Sequence, residues 1–242
     1  MKKLKLILFL IALMFALVGC AKYPDNPDPS GNQIVIEFSV AGKFNTTDPF
    51  DSKVNRYYFM AIDCDNVETT YPLPVIGSVT NYGWGNGWGT STKATESIGI
   101  TSYVRLDTNN NPSSFYQFIP GSKLLVSGPP IIPISTELVN NGKTWRVILD
   151  YSQIATSSIT KENIKNLQIN FITTNQIPTD PNNPAPLRKW DALGEKSSNE
   201  YINITDMTRS FTYTGKDLTG DVSDPDLDIT DWQIEVNYLN PY

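Results

Sequence analysis

The aspartates near the C-terminal end are the side chains of this chain with the most evident potential for chemistry. Asp224, Asp226 and Asp228 alternate with other residues, and Glu235 follows further along. Carboxylates at this spacing occur in the EF-hand calcium loop, where their oxygens surround the ion. Ile229, however, stands where that loop needs glycine, and a β-branched residue at positive φ is strained. The sequence therefore disfavours an EF-hand.

Two interpretations of this acidic segment remain open. In the first, Leu227, Ile229 and Ile234 are buried in a strand that is entered from a solvated acidic turn. In the second, the aspartates bind calcium in a site of another type, because calcium prefers oxygen ligands. The predicted calcium ligands are Asp221, Asp224, Asp226 and Asp228.

The glycine-rich stretch from Asn81 to Thr90 is a second candidate site. Its alternating glycines free the backbone to present aromatic faces beside amide donors, and sugar rings stack on such faces. The predicted ligand-binding residues are Tyr82, Trp84, Asn86 and Trp88. In the alternative interpretation the tryptophans turn inward and cap the core, since tryptophan is highly buried on average.

The composition excludes several kinds of catalysis. The chain has no histidine, so a Ser-His-Asp or Cys-His nucleophile and a His-ligated zinc are excluded. A glycosidase needs two carboxylates across the sugar, but no pair among the 25 acidic residues is marked by its spacing. We therefore expect no catalytic residues and a protein that is not an enzyme.

Charge and cysteine usage narrow the function further. The net charge is −6, and no cluster of Lys and Arg follows the N-terminal segment, which argues against a nucleic-acid partner. Cys64 lies between Asp63 and Asp65, whose charges raise the pKa of a thiol and disfavour a reactive thiolate. We expect Cys64 to be a small structural residue at a strand end.

The elements that must position these residues are mostly strands. Short β-branched or aromatic segments, bounded by Gly, Pro, Asn and Asp, run through the chain. Residues 33–40 alternate as in a half-buried strand, whereas 57–62 are nearly all apolar, as in a central strand covered on both faces. The predicted strands are 33–40, 56–63, 72–78, 98–106, 114–119, 123–126, 144–151, 167–173 and 226–238.

Helix is expected to be minor. Residues 160–165 predict a single helical turn with Thr160 as its cap, and the proline- and asparagine-rich residues 176–187 predict a protruding loop. The pattern predicts one antiparallel β-sandwich domain over residues 33–242, of immunoglobulin-like or jelly-roll type.

The N-terminal segment carries a targeting signature. Leu17-Val18-Gly19-Cys20 closes an apolar run that begins after three lysines and is too short to cross a bilayer. It resembles the lipobox of bacterial lipoproteins. That resemblance implies a signal peptide over residues 1–19, cleavage before Cys20 and lipid attachment to its sulfur, with a flexible linker completing residues 20–32. The protein would then lie in the cell envelope, at the outer membrane or the outer face of the cytoplasmic membrane.

A second resemblance lies in the middle of the chain. The run from Trp145 to Tyr151, the run from Leu167 to Phe171, and Trp190 are similar in apolar spacing to DOMON domains and family 9 carbohydrate-binding modules. The resemblance implies a β-sandwich and favours glycan binding. The histidine haem ligands that some DOMON relatives use have no counterpart in this sequence.

These features favour a lipid-anchored binding protein outside the cytoplasm. We expect it to attach to the membrane through its lipid and to recognise a glycan or another envelope component without cofactors other than calcium. The alternative is a structural or assembly subunit that binds an envelope protein through an exposed strand or aromatic patch.

Overall fold

The computed structural model describes residues 31–45, 56–65, 72, 100–106, 114–117, 131–175, 189–194 and 200–239. Within these ranges the protein is mainly β, and two antiparallel sheets form a β-sandwich. The predicted fold class, an antiparallel β-sandwich with little helix, is confirmed. No helix of the described ranges has the length and apolar character needed to cross a membrane.

Eleven strands are described, and we number them in chain order. They are β1 (Gln33–Val40), β2 (Tyr57–Asp63), β3 (Ser102–Arg105), β4 (Ser114–Gln117), β5 (Ser135–Val139), β6 (Thr144–Asp150), β7 (Leu167–Thr174), β8 (Trp190–Ala192), β9 (Ile202–Ile204), β10 (Phe211–Lys216) and β11 (Ile229–Asn237). The helical elements described are one turn, α1 (Tyr151–Ile154), and the 3₁₀ turns Asn140–Gly142 and Lys161–Asn163.

The strands divide into a five-stranded and a six-stranded sheet. The five-stranded sheet has the order β10-β11-β1-β6-β5. The six-stranded sheet has the order β4-β3-β2-β7-β8, with β9 also pairing with β7. Every pairing described is antiparallel.

Strand β1 shows why the five-stranded sheet has one buried and one polar face. Ile34, Ile36 and Phe38 alternate along β1 and belong to the core, so Glu37 and Ser39 point to the opposite face. Paired residues share a face, and the alternation therefore continues into the neighbouring strands β6 and β11. We call the face that carries Glu37 and Ser39 the outer face.

The core lies where the two sheets meet. Phe38 of β1 stacks on Phe171 of β7 with ring centroids 4.7 Å apart, and Trp145 is fully buried with its indole N–H donating to Thr136 Oγ1 at 3.1 Å. Strand β2 lies between β3 and β7, and residues 58–62 are completely buried. The prediction that this strand is covered on both faces is confirmed.

The chain enters the sandwich at the start of β1. The carbonyl of Asn32 accepts a hydrogen bond from the Tyr151 N–H at 3.0 Å, and the Asn32 side chain accepts one from Leu239 at 2.7 Å. Asn32 was predicted as part of a flexible linker, but these bonds attach it to the fold. The rest of the linker and the signal peptide lie outside the described residues.

Candidate functional site

Among the described residues, one candidate site is a groove of about 560 Å³ on the outer face of the five-stranded sheet. We call it the sheet-face groove. Its polar lining is contributed by strands β1, β6, β10 and β11 and the turns beside them, and includes Glu37, Ser39, Thr144, Lys216, Asp231 and Gln233. A groove of this size and polarity is suited to a ligand with many hydrogen-bonding groups.

Strand register explains why these side chains meet. Ser39 of β1 pairs with Thr144 of β6 on one side and with Asp231 of β11 on the other, and Asp231 pairs with Lys216 of β10. Directly paired residues have Cβ atoms about 5 Å apart on the same face. The sequence places these four residues far apart, and only the antiparallel pairing brings them into one row.

The row is joined by side-chain hydrogen bonds. Ser39 donates to Asp231 Oδ1 at 2.9 Å, and Ser39 Oγ lies 2.9 Å from Thr144 Oγ1. Asn140 donates to Thr144 Oγ1 at 2.9 Å, and Thr230 donates to Asp231 Oδ2 at 2.8 Å. Because Ser39 and Thr144 are also buried, this network fixes the carboxylate of Asp231 before any ligand arrives.

A β-bulge shapes the same end of the groove. Ser39 pairs with Asp231, whereas the next residue, Val40, pairs with Ile229, so Thr230 is an extra residue on β11. A bulge redirects side chains and often lies beside a functional site. Here it brings the Thr230 hydroxyl to the adjacent Asp231 carboxylate.

Trp232 lies on β11 between the groove residues Asp231 and Gln233, but its side chain is on the other face of the sheet. Trp232 pairs across the sheet with Phe38 and with Gly215, and its ring is only partly buried. A Cβ atom on Gly215 would lie 2.3 Å from Trp232 Cζ2, so only glycine leaves room for the indole at this position. Because Phe38 belongs to the core, the Trp232 ring lies on the inner face of the sheet, where it packs against the core.

Carboxylates dominate the charge around the groove. Arg146 forms ion pairs with Glu37 at 3.1 Å and with Glu137 at 3.3 Å, so its charge is shared between them. Burial raises the pKa of Glu37; the charge of Arg146 opposes this rise, and the charges of Glu137 and Glu235 add to it. Lys216 is the cation among the described lining residues, against the carboxylates of Glu37 and Asp231.

The four predicted calcium ligands are divided between two places. Asp221 and Asp228 lie with Asp191, and one carboxylate oxygen from each of these three residues lies within 4.8 Å of the other two. Asp191, which sequence reasoning missed, comes from β8 and accepts hydrogen bonds from the backbone N–H groups of Ala192 at 2.9 Å and Ile229 at 2.7 Å. Both oxygens of Asp228 accept from Gly220 N–H at 2.9 Å.

This cluster is electrostatically crowded. Burial raises the pKa of Asp191 to about 8. The hydrogen bond from the Ile229 N–H lowers this pKa, and the charges of Asp221 and Asp217 raise it further. Burial likewise raises the pKa of Asp217 to about 6. Three carboxylates at this separation are oxygen ligands of the type that calcium takes, although a full calcium shell needs about six to eight oxygens. Calcium binding stays a prediction.

The other two predicted ligands, Asp224 and Asp226, lie against Arg56. The Arg56 guanidinium is buried and contacts Asp224 at 3.1 Å and Asp226 at 3.4 Å. Burial alone would lower the pKa of Arg56, but the hydrogen bond and charges of these aspartates raise it above its ordinary value. The turn that they occupy leads into β11, where Ile229 and Ile234 are buried as predicted; Leu227 is also buried, but it lies in the turn before the strand.

The other sequence-predicted sites have different outcomes. Tyr82, Trp84, Asn86 and Trp88 lie outside the described residues, as does Cys20. Cys64 is buried just after β2. Burial is the main cause that raises the pKa of its thiol to about 11; the hydrogen bond from Thr101 lowers this pKa, and the charges of Asp63 and Asp65 raise it. This agrees with the predicted structural role of Cys64.

An apolar edge is a further surface that sequence reasoning did not single out. Strand β5 is the last strand of the five-stranded sheet in the described ranges. Leu138 is 44 % exposed although it pairs with buried Trp145, and Ile132, just before the strand, is 72 % exposed. Exposed apolar side chains on a terminal strand are typical of surfaces that bind protein partners.

The fold and the groove together define a β-sandwich protein with a preformed polar site on one sheet face. No protein-family model, curated protein or solved structure matches the chain. The resemblances to lipoproteins, DOMON domains and family 9 carbohydrate-binding modules therefore stay predictions.

Proposed function

We propose that this protein is a lipid-anchored, non-catalytic binding protein of the cell envelope that recognises a glycan. The observation that carries the proposal is the sheet-face groove, in which Ser39, Thr144 and Asp231 are already joined by hydrogen bonds. A preorganised polar site reduces the entropy lost when a ligand binds.

The position of the groove suits a tethered protein. The chain enters the sheet at Gln33, which pairs with Asp150, while the groove lies at the other end of β1, around Ser39. Six residues of extended strand span about 20 Å. An anchor at Cys20 would therefore tether the domain from the end of β1 that is opposite the groove.

A glycan array tests this function. The full-length protein, purified in detergent, is applied to neutral and acidic glycans, with the heat-denatured protein as control. We expect saturable binding to at least one glycan by the folded protein alone. Absence of binding to the whole array, at protein concentrations high enough to detect millimolar affinity, would contradict the proposal.

A second candidate function is favoured by the apolar edge at β5. An assembly subunit would use Ile132 and Leu138 to hold a strand or apolar surface of an envelope protein. The test is a photo-crosslinking amino acid placed at Leu138 in growing cells, with Thr214 of the groove as the matched position. One discrete adduct from position 138, absent from position 214, would favour the assembly role, whereas no adduct from 138 would argue against it.

A further inference from the structure

The direction of the hydrogen bonds in the sheet-face groove determines what a ligand finds there. Ser39 has one hydroxyl proton, and it is donated to Asp231. Thr144 must therefore be the donor in its 2.9 Å contact with Ser39, while its own oxygen accepts from Asn140. Thr230 also donates to Asp231. All three hydroxyl protons thus lead towards one carboxylate.

The consequence is a site with separated acceptor and donor groups. The hydroxyl protons of the network are in use, so Asp231 presents its remaining lone pairs as acceptors. Lys216 is paired with Asp231 across the strands and carries its ammonium on the same face of the sheet. Two neighbouring hydroxyls of a sugar match this pair, because one hydroxyl donates to the carboxylate and the other accepts from the ammonium.

Charge selects among glycans. The described lining carries the carboxylates of Glu37 and Asp231 against the single cation Lys216, and the charge of Arg146 is held by Glu37 and Glu137. An anionic sugar would place its carboxylate among these acids, with one ammonium to balance it. The repulsion between the carboxylates costs binding energy in a partly desolvated groove. A neutral sugar meets no such repulsion.

Resting on the proposed glycan-binding role, we propose that Asp231 and Lys216 are the hydroxyl-recognition pair of the sheet-face groove, and that its ligand is a neutral glycan with adjacent free hydroxyls. Ser39, Thr144 and Thr230 are positioning residues for Asp231. Uronic-acid polymers are excluded from the groove by Glu37 and Asp231.

Affinity gel electrophoresis tests this assignment with named polymers. The full-length protein migrates through gels that contain mannan, dextran or mixed-linkage β-glucan as neutral probes, and polygalacturonate or alginate as acidic probes. The variants are Asp231→Asn, which keeps the shape of the side chain, and Lys216→Gln. Glu235→Gln is the matched control, because Glu235 lies on the outer face of β11 but does not line the groove.

We expect retention by at least one neutral polymer, a loss of at least about tenfold in affinity in both groove variants, and no change in the control. Thermal melting shows that the variants are folded, and Lys216 and Asp231 are both exposed residues whose replacement leaves the core intact. Retention by neutral polymers that neither groove variant alters would overturn the residue assignment. Stronger retention by the acidic polymers would overturn the ligand class. Both of these results leave the proposed glycan-binding function standing, whereas no retention by any polymer would overturn both.

Discussion

Replacing Arg56 with methionine tests how the acidic segment is held. The Arg56 side chain is 5 % exposed, its Nε and Nη2 donate to the two oxygens of Asp224 at 3.1 and 3.3 Å, and its Nη1 lies 3.4 Å from Asp226. Removing one partner of a buried ion pair leaves the other charges uncompensated and costs about 3–5 kcal/mol. In a domain of this size the melting temperature should then fall by about 6 to 20 °C.

The assay is urea unfolding of the full-length protein beside a matched arginine. Arg146 also contacts two carboxylates, but its side chain is 37 % exposed, and exposed ion pairs contribute at most about 1 kcal/mol. Arg146→Met should therefore leave the unfolding midpoint nearly unchanged. Equal losses in the two variants, or a loss below about 1 kcal/mol for Arg56→Met, would refute the view that Asp224 and Asp226 are structural ion-pair partners.

Three further predictions concern titration, calcium and the anchor. Burial and the charge of Asp65 raise the pKa of Asp63 to about 7. The stability that protonated Asp63 contributes is therefore complete below about pH 4 and is lost as the pH rises to about 7, by up to about 4 kcal/mol. Thermal melts at a series of pH values should show a flatter pH dependence for Asp63→Asn. For the calcium site predicted from the sequence, the melting temperature in calcium should be higher than in chelator, because calcium at a hundredfold excess over Kd stabilises the fold by about 2.7 kcal/mol. From the lipobox, Cys20→Ala should leave the precursor unlipidated and unprocessed, as read by mass spectrometry.

Each of these predictions has a contrary result. A pH dependence that is identical in wild type and Asp63→Asn would assign it to other groups. Identical melting curves in calcium and chelator would leave the acids as a turn without a metal. An unmodified Cys20 in the mature wild-type protein would remove the anchor.

Most of the sandwich could be predicted because its central strands carry their burial in their sequence. Ile34, Ile36 and Phe38 alternate along β1, and residues 57–62 of β2 are nearly all apolar, so both strands were predicted within a residue of their observed bounds. Strands β5, β8, β9 and β10 were missed because they are short or mostly exposed, and tertiary pairing rather than residue pattern makes them extended. Of the predicted strands 72–78 and 123–126, only Pro72 lies within the described ranges.

The candidate site was harder to predict because its residues meet only through strand register. Asp231 and Lys216 are on neighbouring strands, but Ser39 and Thr144 are far from them in sequence. Asp191 joins Asp221 and Asp228 through a contact between the two sheets, where its carboxylate accepts a hydrogen bond from the N–H of Ile229 at the start of β11. The polar alternation of Asp231 and Gln233 around Trp232 in the last strand was the available signal.

Chemical labelling of Lys216 tests the central claim, that a glycan binds in the sheet-face groove, most directly. The full-length protein is acetylated by a lysine reagent with and without the neutral polymer that retains it in the gel, and the modification of each lysine is followed by mass spectrometry. Lys161, whose side chain is 58 % exposed and lies outside the groove, is the internal control. Slower labelling of Lys216 in the presence of the polymer, with Lys161 unchanged, is the predicted result; equal labelling of Lys216 at saturating polymer would contradict it.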